Sequence, residues 1–554
     1  MTHEPVAVAL RNEHDHTRPL QRLLLCTVLV LVVAGFTSPT LAQSDDALPK
    51  APDRVRGEGP YDRLVIRGAT LIDGTGAPPR GPVDIVIEDD RITNVQGVGA
   101  PGGPIDDDAR PDGGDREIDA SGMYVLPGFV DLHAHLGGEA QGTPAEYVLK
   151  LWMAHGVTTA REVAAGNGLE WTLRHQKRSA ANEITAPRLS VYPALGTGRD
   201  APISTPEQAR TWVQGVAEDG ADGVKFFEAP PDVLKAAIRE ADAQGLRTAM
   251  HHAQPGTVQY DVLDTATWGL TTGEHFYGYP EALYTDRSIQ DYPADYNYRD
   301  EEDRFAYAGR MWQQAAGPGS ERWNLVLDSL RALDFTMTPT FGIYEANRDL
   351  MRGRRAEWHD TYTLPSLWEF FHPSFENHGS YHYFWSTADE AAWDTHFDRW
   401  MQFVDAYKNR GGRVGVGSDS GYIFKLYGFG YVREMELLQE AGFHPLEVIR
   451  SATLEGAQAM GRTDEIGSVE VGKQADLVLV DENPLENLKV LYGTSALRFN
   501  KEAQELERAG GVDYTIKDGI VFDAEQLLKD VEQMVRAAKK EAGMVPDANL
   551  ELTQ

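Results

Sequence analysis

The chain has 554 residues, a formal net charge of -33, a hydrophobic fraction of 42% and one cysteine. That length exceeds one ordinary core and fits a large barrel with a smaller companion domain. The acidity argues against a nucleic-acid partner, which needs a basic face, and reads as a self-repelling, solvated surface.

Arg18 and Arg22 precede an apolar run from Leu23 to Phe36, followed by Thr37-Ser-Pro-Thr-Leu-Ala42. The run falls short of the about 20 apolar residues that a membrane span requires. Residues 1–42 are therefore expected to be a secretory signal cut near Ala42, with an uncleaved anchor as the alternative. The expected location is periplasmic or secreted, with no stable membrane span after cleavage. Cys26 lies inside the run, so the mature chain would hold no disulfide, thiol nucleophile or cysteine-based zinc site.

Residues 43–60 are polar and proline-bearing, a linker. Leu64–Ile72 and Val83–Ile87 are rich in β-branched residues and split by a Gly/Pro turn, which predicts strands in a segment covering residues 61–125. From about Met123, apolar strands alternate with longer helical stretches, the pattern of βα units around a parallel sheet. Eight short strands are expected at Phe129–His133, Val157–Ala160, Leu189–Tyr192, Val224–Phe227, Thr248–His252, Leu270–His275, Phe335–Thr340 and Val414–Ser418. Pro445 to Met460 predicts a helix, opened by proline and stopped by Gly461. Gly467–Gly472 and Ala475–Val480 return to a β pattern, and Ala524–Ala542 predicts an amphipathic helix.

The expected architecture is α/β: a distorted (β/α)8 TIM barrel over residues 126–462, with insertions at about 277–334 and 343–412. A β-sandwich built from residues 61–125 and 463–523 would flank it, with a C-terminal helix and tail at 524–554.

The chemistry-bearing residues gather at predicted strand ends, which in a barrel converge on one mouth. His133 and His135 stand two apart on a strand and so share a face, able to ligate one metal together. Lys225 lies within apolar Val224-Lys-Phe-Phe227, His251-His252 closes the fifth strand, His275 the sixth, and Asp419 follows the eighth. Taken alone, His133-Ala-His135 is weak evidence, and Lys225 reads as a lysine whose stem packs while its amine reaches solvent. Of His251 and His252, only one can face the mouth. The Gly-rich Gly415-Val-Gly-Ser-Asp-Ser-Gly421 has neither the spacing of a dinucleotide loop nor that of a serine-hydrolase elbow.

Pro127-Gly-Phe-Val-Asp-Leu-His133-Ala-His135, Gly156-Val-Thr-Thr159, Ala221-Asp-Gly-Val-Lys225, His252-Ala253, Glu274-His275, Gly417-Ser-Asp419 and Ile466-Gly-Ser-Val-Glu-Val-Gly-Lys-Gln-Ala-Asp-Leu-Val478 run collinearly along the chain. Together they resemble the amidohydrolase superfamily, especially its imidazolonepropionase-like and prolidase-like members. The resemblance implies two divalent metals, zinc by expectation. His133, His135 and Asp419 would hold one and His252 and His275 the other, with Lys225 bridging them as a carbamate formed with CO2. Asp419 would also be the catalytic acid–base group. His252 is preferred over His251 because the family places alanine after this ligand.

By the same resemblance the expected reaction is hydrolysis of an amide or peptide bond in a dipeptide, Xaa-Pro or N-acyl amino acid. The alternative is a cyclic amide, lactone or ester; deamination and a non-catalytic binding protein are disfavoured. The expected partner is a small amide or peptide, and a homo-oligomer is compatible. Arg199, Tyr277 and Tyr344 are the expected substrate contacts. Arg199 carries a competing reading as a plain surface residue. The insertions are rich in aromatics, including Tyr277, Trp312, Trp368, Trp393 and Trp400. Either they wall the mouth or they form the insertions' own core.

Overall fold

A computed structural model describes residues 49–374 and 381–544, with the Tyr381 side chain excepted. The predicted signal segment, Cys26 and His378 lie outside the described residues. Five strands come first: β1 (Leu64–Leu71), β2 (Arg80–Glu88), β3 (Arg91–Gly97), β4 (Arg116–Asp119) and β5 (Tyr124–Pro127). Eight more follow: β6 (Phe129–Ala134), β7 (Val157–Ala164), β8 (Arg188–Pro193), β9 (Gly223–Phe226), β10 (Arg247–His251), β11 (Thr272–Glu274), β12 (Thr336–Thr338) and β13 (Arg413–Val414). The last are β14 (Leu477–Val480), the β15 (Ala496–Asn500) and β16 (Glu505–Ala509) hairpin, β17 (Val512–Lys517) and β18 (Ile520–Asp523).

All eight expected central strands are present and parallel. They form a three-stranded sheet, β6-β7-β8, and a five-stranded one, β9-β10-β11-β12-β13. A parallel bridge between Ala194 and Lys225 joins β8 to β9. On the other side the Leu132 amide donates to the Val416 carbonyl at 2.9 Å, and the Asp419 amide to the His133 carbonyl at 2.8 Å. Buried residues run without interruption along β6, β8 and β9, as expected of strands covered on both faces. Helices follow the strands, among them Ala145–Met153, Leu169–Ala180, Pro206–Asp219 and Pro231–Ala243.

The N- and C-terminal strands share one sheet, because β14 pairs antiparallel with β5 in the order β18-β17-β14-β5-β1-β2-β3. This sheet has its own apolar core around Ile66, Ile85, Val125, Leu477 and Ile516. It is tied to the parallel strands through Arg188 of β8, which is buried between the carboxylates of Asp476 and Asp518. Two expectations change. Gly467–Gly472 is irregular rather than a strand, and the helix expected over 445–460 breaks at Thr453 (φ -132°, ψ -85°) into Pro445–Ala452 and Leu454–Ala459. The Thr453 hydroxyl donates to the Ile449 carbonyl at 2.7 Å, a local bond that competes with continued helix. The final helix, Ala524–Glu541, is as expected. No helix among the described residues is long and apolar enough to cross a membrane.

Candidate metal centre

His133 and His135 leave the end of β6 on one face, their ring centroids 5.3 Å apart. Asp419 meets them from the segment after β13: its Oδ1 lies 3.1 Å from His135 Nε2 and 3.6 Å from His133 Nε2. His275, at the end of β11, approaches with Nδ1 3.8 Å from Asp419 Oδ2. Potential ligand atoms of His133, His275 and Asp419 all fall within 4.8 Å of one another. His275 (φ 64°) and Asp419 (φ 46°) both adopt left-handed backbone conformations that such residues rarely visit. Strain of this kind gathers at functional sites.

Buried supports hold the cluster. Glu274 takes His133 Nδ1 at 2.6 Å through Oε2 and Arg161 at 2.6 Å through Oε1. Asp131 accepts the His133 amide at 3.0 Å, the Ser418 amide at 2.9 Å and the Ser418 hydroxyl at 2.6 Å, so it fastens β6 to the Asp419 segment. Gly417 permits this approach, since a Cβ there would stand 2.5 Å from Thr338 Cγ2 and 2.8 Å from His133 Cβ. In the sequence Glu274 stands out only through the Glu274-His275 motif, and neither Asp131 nor Arg161 is marked by its type or by a spacing of its own. Pleat parity with His133 was the available signal for Asp131.

Lys225 is 1% exposed, and its Nζ has no hydrogen-bond partner among the described residues. Burial pushes its pKa down to about 8, against the opposing pull of Glu274 and Asp419. Burial also takes His133, His251 and His275 well below the ordinary imidazole range, leaving them neutral. For Asp419, burial is outweighed by His133 and His135, which hold the carboxyl at about 2. Neutral imidazoles, one carboxylate and a desolvated amine suit a divalent cation as a donor set, the amine once converted to an anionic oxygen ligand.

The expectation for His252 is corrected. β10 pairs Ala249 with Lys225 and His251 with Glu274, so by strand parity His251 shares the Lys225 face. The His251 ring lies 4.7 Å from that of His275 and 5.5 Å from that of Tyr277. His252 points to the opposite side, its Nε2 2.8 Å from the Thr265 hydroxyl on helix Val262–Trp268. Pleat geometry counted from Lys225 overrides the alanine-after-ligand register.

Arg199 is also corrected. It is exposed on the loop after β8, with its Nε directed at the Ala201 carbonyl at 3.5 Å. Tyr344 does border the cluster, its ring 5.6 Å from His275, and Tyr422 lies 5.8 Å from His135. Many insertion aromatics instead pack on each other: Trp393 Nε1 donates to the Phe305 carbonyl at 2.8 Å, and Trp393 and Trp400 both meet Phe276. Much of the aromatic excess is therefore the insertions' own core, with Tyr277 and Tyr344 at its inner edge.

A family match covers residues 124–290 and 398–521, and the chain belongs to the amidohydrolase family. It is thereby an enzyme of a class with hydrolase relatives that act on carbon–nitrogen bonds. It is 32% identical over 138 residues to 5'-deoxyadenosine deaminase of Methanobrevibacter smithii, covering 23% of this chain and 30% of that one. It is 26% identical over 227 residues to N-acyl-D-aspartate deacylase of Alcaligenes xylosoxydans xylosoxydans, covering 41% and 39% respectively. Both matches span well under two thirds of the relative. In fold it is similar to a Xaa-Pro dipeptidase crystallised with methionine in its active site, with a TM-score of 0.55 and 18% identity over 83% of this chain and 100% of that one.

Proposed function

We propose that the chain hydrolyses an amide or peptide bond, of the dipeptide, Xaa-Pro or N-acyl amino acid type, at a two-metal centre. The observation that carries this reading is the buried Lys225 Nζ, without a hydrogen-bond partner among the described residues and on the same face as His251. His133, His135 and Asp419 would hold one ion and His251 and His275 the other, zinc being the expected metal. Lys225 would bridge them as a carbamate. Its formation would join the neutral Lys225 amine to CO2 through a new C–N bond, with one amine proton passing to solvent. In this reading the eight parallel strands close as a distorted (β/α)8 barrel flanked by a β-sandwich, so the site sits at the barrel's C-terminal mouth.

When bound, the metals would acidify water and polarise the substrate carbonyl. The protein's part is positioning and proton handling. Asp419 accepts a proton at a carboxylate oxygen as water is deprotonated, then returns it to the leaving nitrogen. Glu274 turns His133 so that Nε2 faces Asp419 while Nδ1 is occupied. Tyr277 and Tyr344 border the space that a substrate side chain would fill. The relatives' names, a deacylase and a dipeptidase, support an amide substrate. Several deaminases are also among the relatives, but the lysine on β9 favours two metals over one.

The decisive experiment combines elemental analysis with a panel of N-acyl amino acids, dipeptides, lactones, esters and adenosine derivatives. Two metals per chain and turnover of the first two classes are expected. Exclusive turnover of lactones or esters would move the assignment to cyclic or ester substrates, and adenosine deamination would overturn it. Export to the periplasm or medium is proposed from the pattern of residues 18–42. N-terminal sequencing of the mature protein checks it, with cleavage near Ala42 expected.

A further inference from the structure

The turn that follows β12 carries a residue that the proposed chemistry leaves unused. Thr340 is fully buried, and its hydroxyl oxygen lies 2.6 Å from His275 Nδ1. The same hydroxyl donates to the Pro339 carbonyl at 2.6 Å. A hydroxyl has one proton to give, so its oxygen meets the ring as an acceptor and Nδ1 carries the hydrogen. The other near neighbour of Nδ1, Asp419 Oδ2 at 3.8 Å, is beyond hydrogen-bond reach. In a neutral imidazole, a protonated Nδ1 leaves Nε2 as the nitrogen with a free lone pair.

Thr340 does this from a backbone state that threonine rarely adopts. It is left-handed (φ 53°, ψ 44°) and stands at the head of the short helix Phe341–Tyr344. A threonine there ordinarily uses its hydroxyl oxygen to accept an amide N–H of its own first turn. Here it makes no such bond. Glu434, on helix Phe429–Glu440, takes two of those amides instead: Oε1 accepts the Phe341 N–H at 2.9 Å and Oε2 the Gly342 N–H at 2.6 Å. Gly342 lets the carboxylate come this close, since a Cβ there would stand 3.3 Å from Oε2. Glu434 is fully buried as well. Two bonds from a distant helix thus hold the strained turn and release the Thr340 hydroxyl for His275.

We propose that Thr340 and Glu434 are positioning residues of the metal centre: Glu434 fixes the left-handed turn, and Thr340 sets the His275 tautomer so that Nε2 is free to bind a metal. The inference rests on the reading of His275 as a ligand and adds the groups that prepare its ring. Tyr344 closes the same turn, its ring 5.6 Å from that of His275, so one carboxylate orders the ligand and the aromatic wall beside it together. Geometry, not sequence, assigns these roles, since neither residue lies in a motif of the chain.

The test reads nitrogen NMR of isotope-labelled histidine in the full chain, stripped of metal and held at about pH 8, above the ordinary imidazole range. The His275 signals are those missing from His275→Gln. The wild type should carry its proton on Nδ1. Thr340→Ala should let the proton spread to Nε2, and Thr340→Ser should restore it to Nδ1. Glu434→Gln, which gives up one of the two amide bonds, should shift it part of the way. Zinc affinity, read by competition with a chelator, should fall roughly 10–100-fold in Thr340→Ala and recover in Thr340→Ser. Should the alanine variant fold poorly, Glu434→Gln carries both readouts. A wild-type proton on Nε2, or a tautomer that Thr340→Ala leaves unchanged, overturns the positioning role and leaves the hydrolase reading standing. A tautomer that shifts with no loss of zinc affinity also overturns it, and by removing His275 from the ligand set sinks the two-metal reading as well.

Discussion

Glu274 Oε2 lies 2.6 Å from His133 Nδ1, and the other oxygen of the same carboxylate lies 2.6 Å from Arg161. All three side chains are buried. One charged group thus fixes the ring orientation of a candidate ligand and is itself fixed by a second ion pair. Glu274→Gln keeps the shape but weakens the bond to Nδ1 and the pairing with Arg161. Metal affinity should fall roughly 10–100-fold, read by competition with a chelator. Unchanged affinity would show that the contact serves packing alone.

Lys225→Ala should lose most activity and retain about one metal per chain, because no bridging ligand would remain. Short carboxylic acids added to that variant should restore part of the rate by occupying the vacated space. Full activity without them would contradict the bridging role.

His251 and His252 are adjacent in sequence and opposite in role. His251→Asn should lower metal content and turnover together. His252→Asn should keep the metal and cost about 1–3 kcal/mol of stability, as a buried bond to Thr265 is lost. Elemental analysis beside urea unfolding separates the two, and the reverse result would restore the sequence-based assignment.

His396 offers a pH prediction away from the metal cluster. It is buried, its Nδ1 is 3.0 Å from the Ala308 carbonyl, and burial takes its pKa down to about 3 from a usual 6.5. Between those values the unfolded chain binds the proton first, so stability falls as pH drops below 6.5, by up to about 1.4 kcal/mol per unit. His396→Asn should flatten the acid limb of unfolding free energy between pH 6.5 and 4.5. An unchanged slope would mean that other buried groups, such as His155 or His359, dominate it.

Periodicity and composition were enough to locate all eight central strands and the final helix, because apolar runs of strand length and amphipathic helical spacing are local properties. The His133, His135, Lys225, His275 and Asp419 positions were legible for a related reason: strand ends can be found without knowing what they face. Local signals did not predict the break at Thr453, where a side chain competes for a carbonyl, or the irregular course of Gly467–Gly472.

What the amino-acid order determined by itself was the family, the succession of strands and helices, and the set of residues able to do chemistry. Only the tertiary structure decided which of two neighbouring histidines joins the cluster and that Arg199 stands in solvent. The physical reason is that facing and proximity depend on pairing register and on contacts between segments far apart along the chain. Neither is encoded in any short stretch.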